Sequence, residues 1–191
     1  AASNFWQADV DGMYTWFMPW PLGDAQRRIL TDIGDPDLSR EGNKHYFLRQ
    51  RPENEDSFVY DAELPVAIPG PDPDKTYQVA LTISDDPENQ RIRRMMLKIS
   101  VSDLVTADRL EISLNGVSLA SEPCRRTARN YDAYTGVWLE IDLNEVRPRR
   151  GANTLQFSLL ARPADFGGGI SIDDVELIVE YDLFPGRATA G

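Results

Sequence analysis

The residues best suited to chemistry lie between Ala120 and Gly136, in the stretch ASEPCRRTARNYDAYTG. Aromatic rings can stack on the apolar faces of sugars, while arginine and carboxamide or carboxylate groups hydrogen-bond the hydroxyls. Both kinds of group are concentrated in this stretch, so if the chain binds a carbohydrate, we expect the binding site in this loop. Its candidate ligand-binding residues are Arg125, Arg126, Arg129, Asn130, Tyr131, Asp132 and Tyr134.

The three arginines of this loop allow two interpretations. On a chain of net charge −11 they form a local positive patch, which would suit an acidic polysaccharide better than a neutral one. Alternatively, they pair with carboxylates of their own domain and bind no ligand. The length of the loop favours a functional role, since long connections in sandwiches are usually functional or disordered.

Aromatic residues elsewhere offer secondary candidates. Phe166 precedes three glycines and could add an aromatic wall to the site. Trp16 and Trp20, in the run GMYTWFMPW, could form a stacking platform or pack the N-terminal segment onto the rest of the protein. Trp138, in VWLEIDL, alternates with polar residues and is assigned to the core.

Several classes of chemistry have no support in the sequence. His45 is the only histidine and Cys124 the only cysteine, which disfavours a histidine-based triad, a multi-histidine zinc site and an internal disulfide. There is no G-x-S-x-G elbow, no phosphate-binding loop and no evident pair of carboxylates facing one cleft. We therefore expect a non-catalytic protein.

The net charge of −11 also disfavours nucleic acids and anionic membranes as partners, because the summed field repels phosphate.

The spacing of apolar residues, from which we predict the secondary structure around these candidate residues, changes along the chain. Apolar and aromatic residues at Ala8–Phe17 predict a buried strand, and helical spacing of apolar residues predicts a helix at Asp24–Ile33. A strand is also suggested at His45–Leu48. After Ser57 the pattern becomes one of short segments of period two separated by turn signals such as LNGV, RPRRGAN and FGGG.

We therefore predict a mainly β protein: an antiparallel jelly-roll β-sandwich with a short N-terminal strand and helix appendage. The predicted divisions are the appendage at 1–56, the sandwich at 57–184 and a disordered tail at 185–191.

Three motifs of the second half resemble the galactose-binding-like jelly-roll class, which is common among carbohydrate-binding modules. They are DRLEISLNGVSL, RPRRGANTLQFSL and ISIDDVELIVEY. In that class they correspond to a strand with its hairpin, a strand that starts after a turn, and the closing strand. The resemblance implies a carbohydrate-binding β-sandwich. The composition leaves the compartment open, and our expectation is an extracellular or periplasmic location.

The first half resembles the end of a (β/α)8 glycoside-hydrolase barrel. The residues that carry this likeness are ADVDGMYTWFMPWPLGDAQRRILTDIGDPDLSREGNKHYF, with a DG-containing strand, a helix ending in IGDP and a K-x-Y segment. Seven of the eight barrel strands would be missing. The chain would then be the C-terminal region of a glycoside-hydrolase-like protein, and the N-terminal strand would need the sandwich or another chain as its partner.

Calcium is a side hypothesis. Jelly-roll modules of the resembled kind often hold a structural calcium ion, which takes oxygens from carboxylates and carbonyls. Acidic residues lie in the PDPDK turn and at the start of the closing strand, at Asp72, Asp74, Asp173 and Asp174. The alternative is that these are ordinary turn and strand-edge acids.

Two functions remain open at this point. The first is a non-catalytic carbohydrate-binding module that binds a polysaccharide or oligosaccharide. The second is an accessory sandwich that stabilises a neighbouring catalytic domain, or forms oligomers through the N-terminal aromatic segment, without binding sugar.

Overall fold

The computed structural model describes residues 2–13, 20–40, 42–48, 62–128 and 136–182. In these described residues, three helices come first and ten strands follow. The helices are α1 (Ala2–Gln7), α2 (Asp24–Gly34) and α3 (Pro36–Arg40). The strands are β1 (Lys44–Phe47), β2 (Val66–Ile68), β3 (Tyr77–Ile83), β4 (Ile92–Ser102), β5 (Arg109–Leu114), β6 (Val117–Ser118), β7 (Cys124–Ala128), β8 (Gly136–Asp142), β9 (Gly151–Ala161) and β10 (Ile170–Tyr181).

The strands form two antiparallel sheets, which confirms the predicted mainly β sandwich. The six-stranded sheet has the order β1-β10-β4-β8-β7, and β2 pairs with the start of β10. The four-stranded sheet has the order β3-β9-β5-β6. Alternate residues of the long strands are buried between the sheets. This follows because successive side chains of a strand point to opposite faces, and only one face of each strand packs on the core.

The turn motifs act as structural signals and contact one another. Asn115 and Gly116 both have positive φ, of 52° and 83°, and form the two-residue hairpin between β5 and β6. The Asn115 side chain donates to Oδ1 of Asn153 at 2.9 Å, and Asn153 in turn binds the backbone of Arg149 and Gly151. The LNGV and GAN motifs therefore stabilise a single corner of the sandwich.

The closing strand β10 contains a bulge that the sequence shows as a doubled aspartate. Ile172 pairs with Val101 and Asp174 pairs with Ser100, so that Asp173 is the extra residue. Ile170 and Ile172 are buried before the bulge and Val175 after it. The bulge thus shifts the phase of the strand by one residue and keeps both halves facing the core.

The N-terminal part of the chain is joined to the sandwich by β1 and a buried polar cluster. β1 pairs with β10, and Lys44 forms an ion pair of 2.8 Å with Asp85, whose side chain is fully buried after the end of β3. The hydroxyls of Tyr46 and Tyr181 also donate to the Asp85 carboxylate. Burial, followed by the charge of Asp85, raises the pKa of Tyr46 above its usual range.

The N-terminal predictions need correction. The helix predicted at Asp24–Ile33 is present as α2, but α1 was not predicted, since AASNFWQ lacks a distinct apolar stripe. Within the predicted strand Ala8–Phe17, residues 8–13 form a turn and irregular backbone, and the remainder lies outside the described residues. The predicted boundary between residues 56 and 57 and the tail at 185–191 also lie outside them.

Candidate functional site

The predicted binding loop contains a strand. Cys124–Ala128 form β7, which pairs with β8 along the edge of the six-stranded sheet, so Arg125 and Arg126 are strand residues. Since neighbouring residues of a strand point to opposite faces, these two arginines cannot contact a ligand on one face together. The other predicted residues of this loop, Arg129, Asn130, Tyr131, Asp132 and Tyr134, lie outside the described residues.

Arg125 lies on the outer face of the six-stranded sheet and pairs with its cross-strand neighbour. Its Nε donates to Oε2 of Glu140 at 2.8 Å, and its Nη2 donates to the same oxygen. The arginine side chain is 72% exposed and the glutamate 16%. This contact is the alternative outlined from the sequence, in which an arginine pairs with a carboxylate of its own domain.

Arg126 points to the inner side and closes one end of the gap between the sheets. Its guanidinium donates to the backbone carbonyls of Leu104 and Val105, in the connection that precedes β5. The arginine therefore links the edge of one sheet to the entry of the other. In the described part of the chain it has no carboxylate partner.

Phe166 and Trp20 are both exposed. Phe166 is 50% exposed in the turn between β9 and β10, where its N–H donates to the carbonyl of Pro163. Trp20 is 87% exposed, which contradicts the alternative in which this residue packs the N-terminal segment onto the rest of the protein. Trp16 lies outside the described residues.

The four predicted calcium ligands are distributed over two places in the fold. Asp72 and Asp74 are exposed in the turn before β3, where the Asp72 carboxylate accepts the N–H of Asp74 at 3.1 Å. Asp173 and Asp174 lie at the bulge of β10, and Asp173 accepts a hydrogen bond from Ser102. No three histidine, cysteine or acidic residues of the described ranges cluster in a way that could hold a metal ion. Calcium binding stays a prediction.

The outer face of the six-stranded sheet carries a surface that the sequence did not reveal. One register row crosses five strands, from β1 through β10, β4 and β8 to β7. We call it the charged row; it consists of Phe47, Glu176, Lys98, Glu140 and Arg125. With strands about 4.8 Å apart, the row is about 19 Å long.

The charged row is held by ion pairs and aromatic contacts. Lys98 Nζ lies 3.4 Å from Oε2 of Glu176 and 4.5 Å above the centre of the Trp138 ring. His45 Nε2 lies 3.1 Å from the same Glu176 oxygen, and its ring meets that of Phe47 edge-on at 6.1 Å. Phe47 is 65% exposed, which leaves most of its ring open to solvent.

Two further ion pairs lie beside the charged row. Arg94 Nε donates to Oδ1 of Asp142 at 2.6 Å, and this hydrogen bond raises the pKa of Arg94. Arg93 Nη2 donates to Oε2 of Glu180, also at 2.6 Å. The outer face is therefore lined by paired charges around two aromatic rings.

Trp138 was wrongly assigned to the core. Leu139 and Ile141 are the buried residues of β8, so Trp138 shares the outer face with Glu140 and Asp142. VWLEIDL has apolar residues at adjacent positions, and adjacent side chains of a strand point to opposite faces of the sheet. Trp138 is an odd number of positions from the inward-facing Leu139 and Ile141, so it faces outward. The tryptophan among outward charges was the one sequence signal for this surface.

A separate cleft of about 460 Å³ opens between the sheets near β5 and β7. Leu110, Ile112, Leu139 and Ile141 line it, with Arg126 at the β7 side. Its described lining has no aromatic ring, so it offers apolar contact without a surface on which a sugar could stack.

Comparison with known proteins leaves the family of this chain open. No family model and no curated protein matches it. Among solved structures, it is similar to dimeric latent PorU from Porphyromonas gingivalis, with 13% identity and a TM-score of 0.42. The match covers 75% of this chain and 13% of that one. In the parts of the chain that the structure describes, no helix has the length and apolar character needed to cross a membrane.

Proposed function

We propose that this protein is a non-catalytic carbohydrate-binding β-sandwich, and that it binds a polysaccharide across the outer face of its six-stranded sheet. The observation that supports this most is the charged row, in which an exposed aromatic ring is aligned with hydrogen-bonding side chains over about 19 Å. A surface of this length suits an extended chain of sugar rings.

In this proposal, the aromatic and the charged side chains of the row make different contacts with the sugar. Phe47 supplies an open ring for stacking on the apolar face of a sugar. Lys98 lies further along the row and contacts the ring of Trp138 beside it. The carboxylates of Glu140 and Glu176 accept hydrogen bonds from hydroxyls. Since the ion pairs hold these carboxylates in place, little side-chain entropy would be lost on binding.

The test is calorimetric titration of the wild type and two variants against a panel of soluble polysaccharides. A Phe47→Ala, Glu140→Ala double variant should lose at least tenfold in affinity, because one hydrogen bond to a charged group alone contributes about 1.5–3 kcal/mol. The matched control is Gln78→Ala, on the exposed face of β3 in the other sheet. Failure of every polysaccharide to bind, or equal affinities of the double variant and the control, would contradict the proposal.

A second candidate function is supported by the N-terminal helices. None of α1, α2 and α3 contains a buried residue, and Phe5, Ile29 and Leu38 are each at least half exposed. Such a surface suits an accessory domain that packs against a neighbouring catalytic domain or a second copy of the chain.

Sedimentation velocity tests this second candidate on the isolated chain. An Ile29→Asp, Leu38→Asp variant should prevent any self-association of the wild type without altering glycan binding. A wild type that is monomeric at all concentrations would exclude the oligomer form of this candidate.

A further inference from the structure

The carboxylates of the outer face share one feature: a cation contacts only one of the two oxygens. Both donors of Arg125 go to Oε2 of Glu140, and both His45 and Lys98 approach Oε2 of Glu176. The second oxygen, Oε1, of each glutamate has no partner among the described residues. The side chains of Glu140 and Glu176 are 16% and 22% exposed.

The same asymmetry holds for the two ion pairs beside the row. Arg94 binds Oδ1 of Asp142 and Arg93 binds Oε2 of Glu180, and in both carboxylates the other oxygen is without a described partner. Each of these four carboxylates therefore keeps one oxygen without a described partner, and that oxygen can accept a hydrogen bond. None of them can donate a hydrogen bond while the carboxylate is ionised.

The cations of this face, by contrast, are already neutralised. Among the described residues, four lysine and arginine side chains of this face each lie within 3.4 Å of a carboxylate: Arg93, Arg94, Lys98 and Arg125. The four carboxylates that they contact balance these four cations, so the described ion pairs of this face carry no surplus positive charge. An anionic group laid across the row would approach the carboxylate oxygens of like charge, which costs binding energy.

We propose, building on the carbohydrate-binding function above, that the ligand is a neutral polysaccharide and not an acidic one. Neutral sugars carry hydroxyl groups that donate to carboxylate oxygens, and these bonds to a charged acceptor are among the stronger hydrogen bonds. The clustered arginines suggested an acidic ligand from the sequence, but Arg125 does not support that suggestion, because Glu140 neutralises its charge. Arg126 points away from this face.

The experiment measures binding to paired neutral and acidic polysaccharides at low and high salt. Native affinity electrophoresis and calorimetry would use galactan, mannan and xylan as neutral probes, and polygalacturonate and alginate as acidic ones, at 20 and 500 mM sodium chloride. We expect a neutral probe to bind at least tenfold more tightly than any acidic one. Its affinity should change less than twofold with salt, because no net charge is screened on binding.

A charge-releasing variant provides the second arm. Glu140→Gln with Glu176→Gln should free Arg125 and Lys98, weaken the neutral probe about tenfold and create salt-sensitive binding of an acidic probe. The control is Glu111→Gln, on the outward side of β5 in the other sheet, which should bind like the wild type.

The outcomes separate this inference from the proposed function. Tighter binding of an acidic probe by the wild type, weakened by salt, would overturn the neutral ligand and leave carbohydrate binding intact. Binding of a neutral probe that both glutamine substitutions leave unchanged would also overturn the inference, because the carboxylate oxygens would then have no role. Failure of every probe to bind would overturn both proposals.

Discussion

Replacing Lys44 with methionine should destabilise the protein strongly, because it leaves a buried carboxylate without its cation. The Lys44 side chain is 9% exposed and that of Asp85 is fully buried, and their charged atoms are 2.8 Å apart. Lys44 also donates to the carbonyls of Arg40 and Gly42 at 2.8 and 3.1 Å. Removing one member of such a pair typically costs about 3–5 kcal/mol, while the pair as a whole contributes far less.

Urea unfolding followed by circular dichroism would measure this loss. For a domain of this size it corresponds to a fall in melting temperature of roughly 6–20 °C. The matched control is Arg93→Met, which breaks a pair whose side chains are 64% and 26% exposed and should cost at most about 1 kcal/mol.

A compensating variant tests the mechanism. Adding Asp85→Asn to Lys44→Met removes the uncompensated charge but retains an oxygen that the hydroxyls of Tyr46 and Tyr181 can bind, so part of the lost stability should return. If Lys44→Met costs no more than Arg93→Met, or if Asp85→Asn lowers stability further, the reasoning about the buried pair is refuted.

Three further predictions concern stability. Burial raises the pKa of Glu122, but its carboxylate accepts hydrogen bonds from three backbone N–H groups, which together outweigh burial and lower the pKa. The contribution of Glu122 to the free energy of unfolding should therefore be complete above the ordinary pKa of about 4.3 and disappear as the pH falls through the lowered value. The difference in urea stability between wild type and Glu122→Gln should therefore be smaller at pH 3 than at pH 7. The raised pKa of Tyr46 means that the wild type should lose stability above about pH 10, and Tyr46→Phe should show a smaller loss in the same titration. Gly169→Ala should lower the free energy of unfolding by about 3 kcal/mol or more, since the added Cβ would lie 1.7 Å from the carbonyl oxygen of Ile68. The control is Gly167→Ala, whose Cβ would have nothing within 4 Å; in thermal unfolding its stability should stay within about 0.5 kcal/mol of the wild type.

The sequence by itself determined the local elements of the sandwich. Alternation in YQVALTI and ISIDDVELIVEY predicts strands because successive side chains of a strand point to opposite faces. Asn115-Gly116 predicts its hairpin because both residues tolerate positive φ. Helical spacing in DAQRRILTDIG predicts α2 for a similar local reason.

Only the tertiary structure decided which side chains meet. Period two leaves the inward face of β8 undetermined until the sheets pack, and this is why Trp138 was assigned to the wrong side. β7 was missed because CRRTA has no alternating apolar residues and forms a strand only by pairing with β8. Phe47, Lys98 and Glu176 are far apart in sequence and become neighbours through pairing with the closing strand β10, an interaction between remote segments that no local pattern encodes.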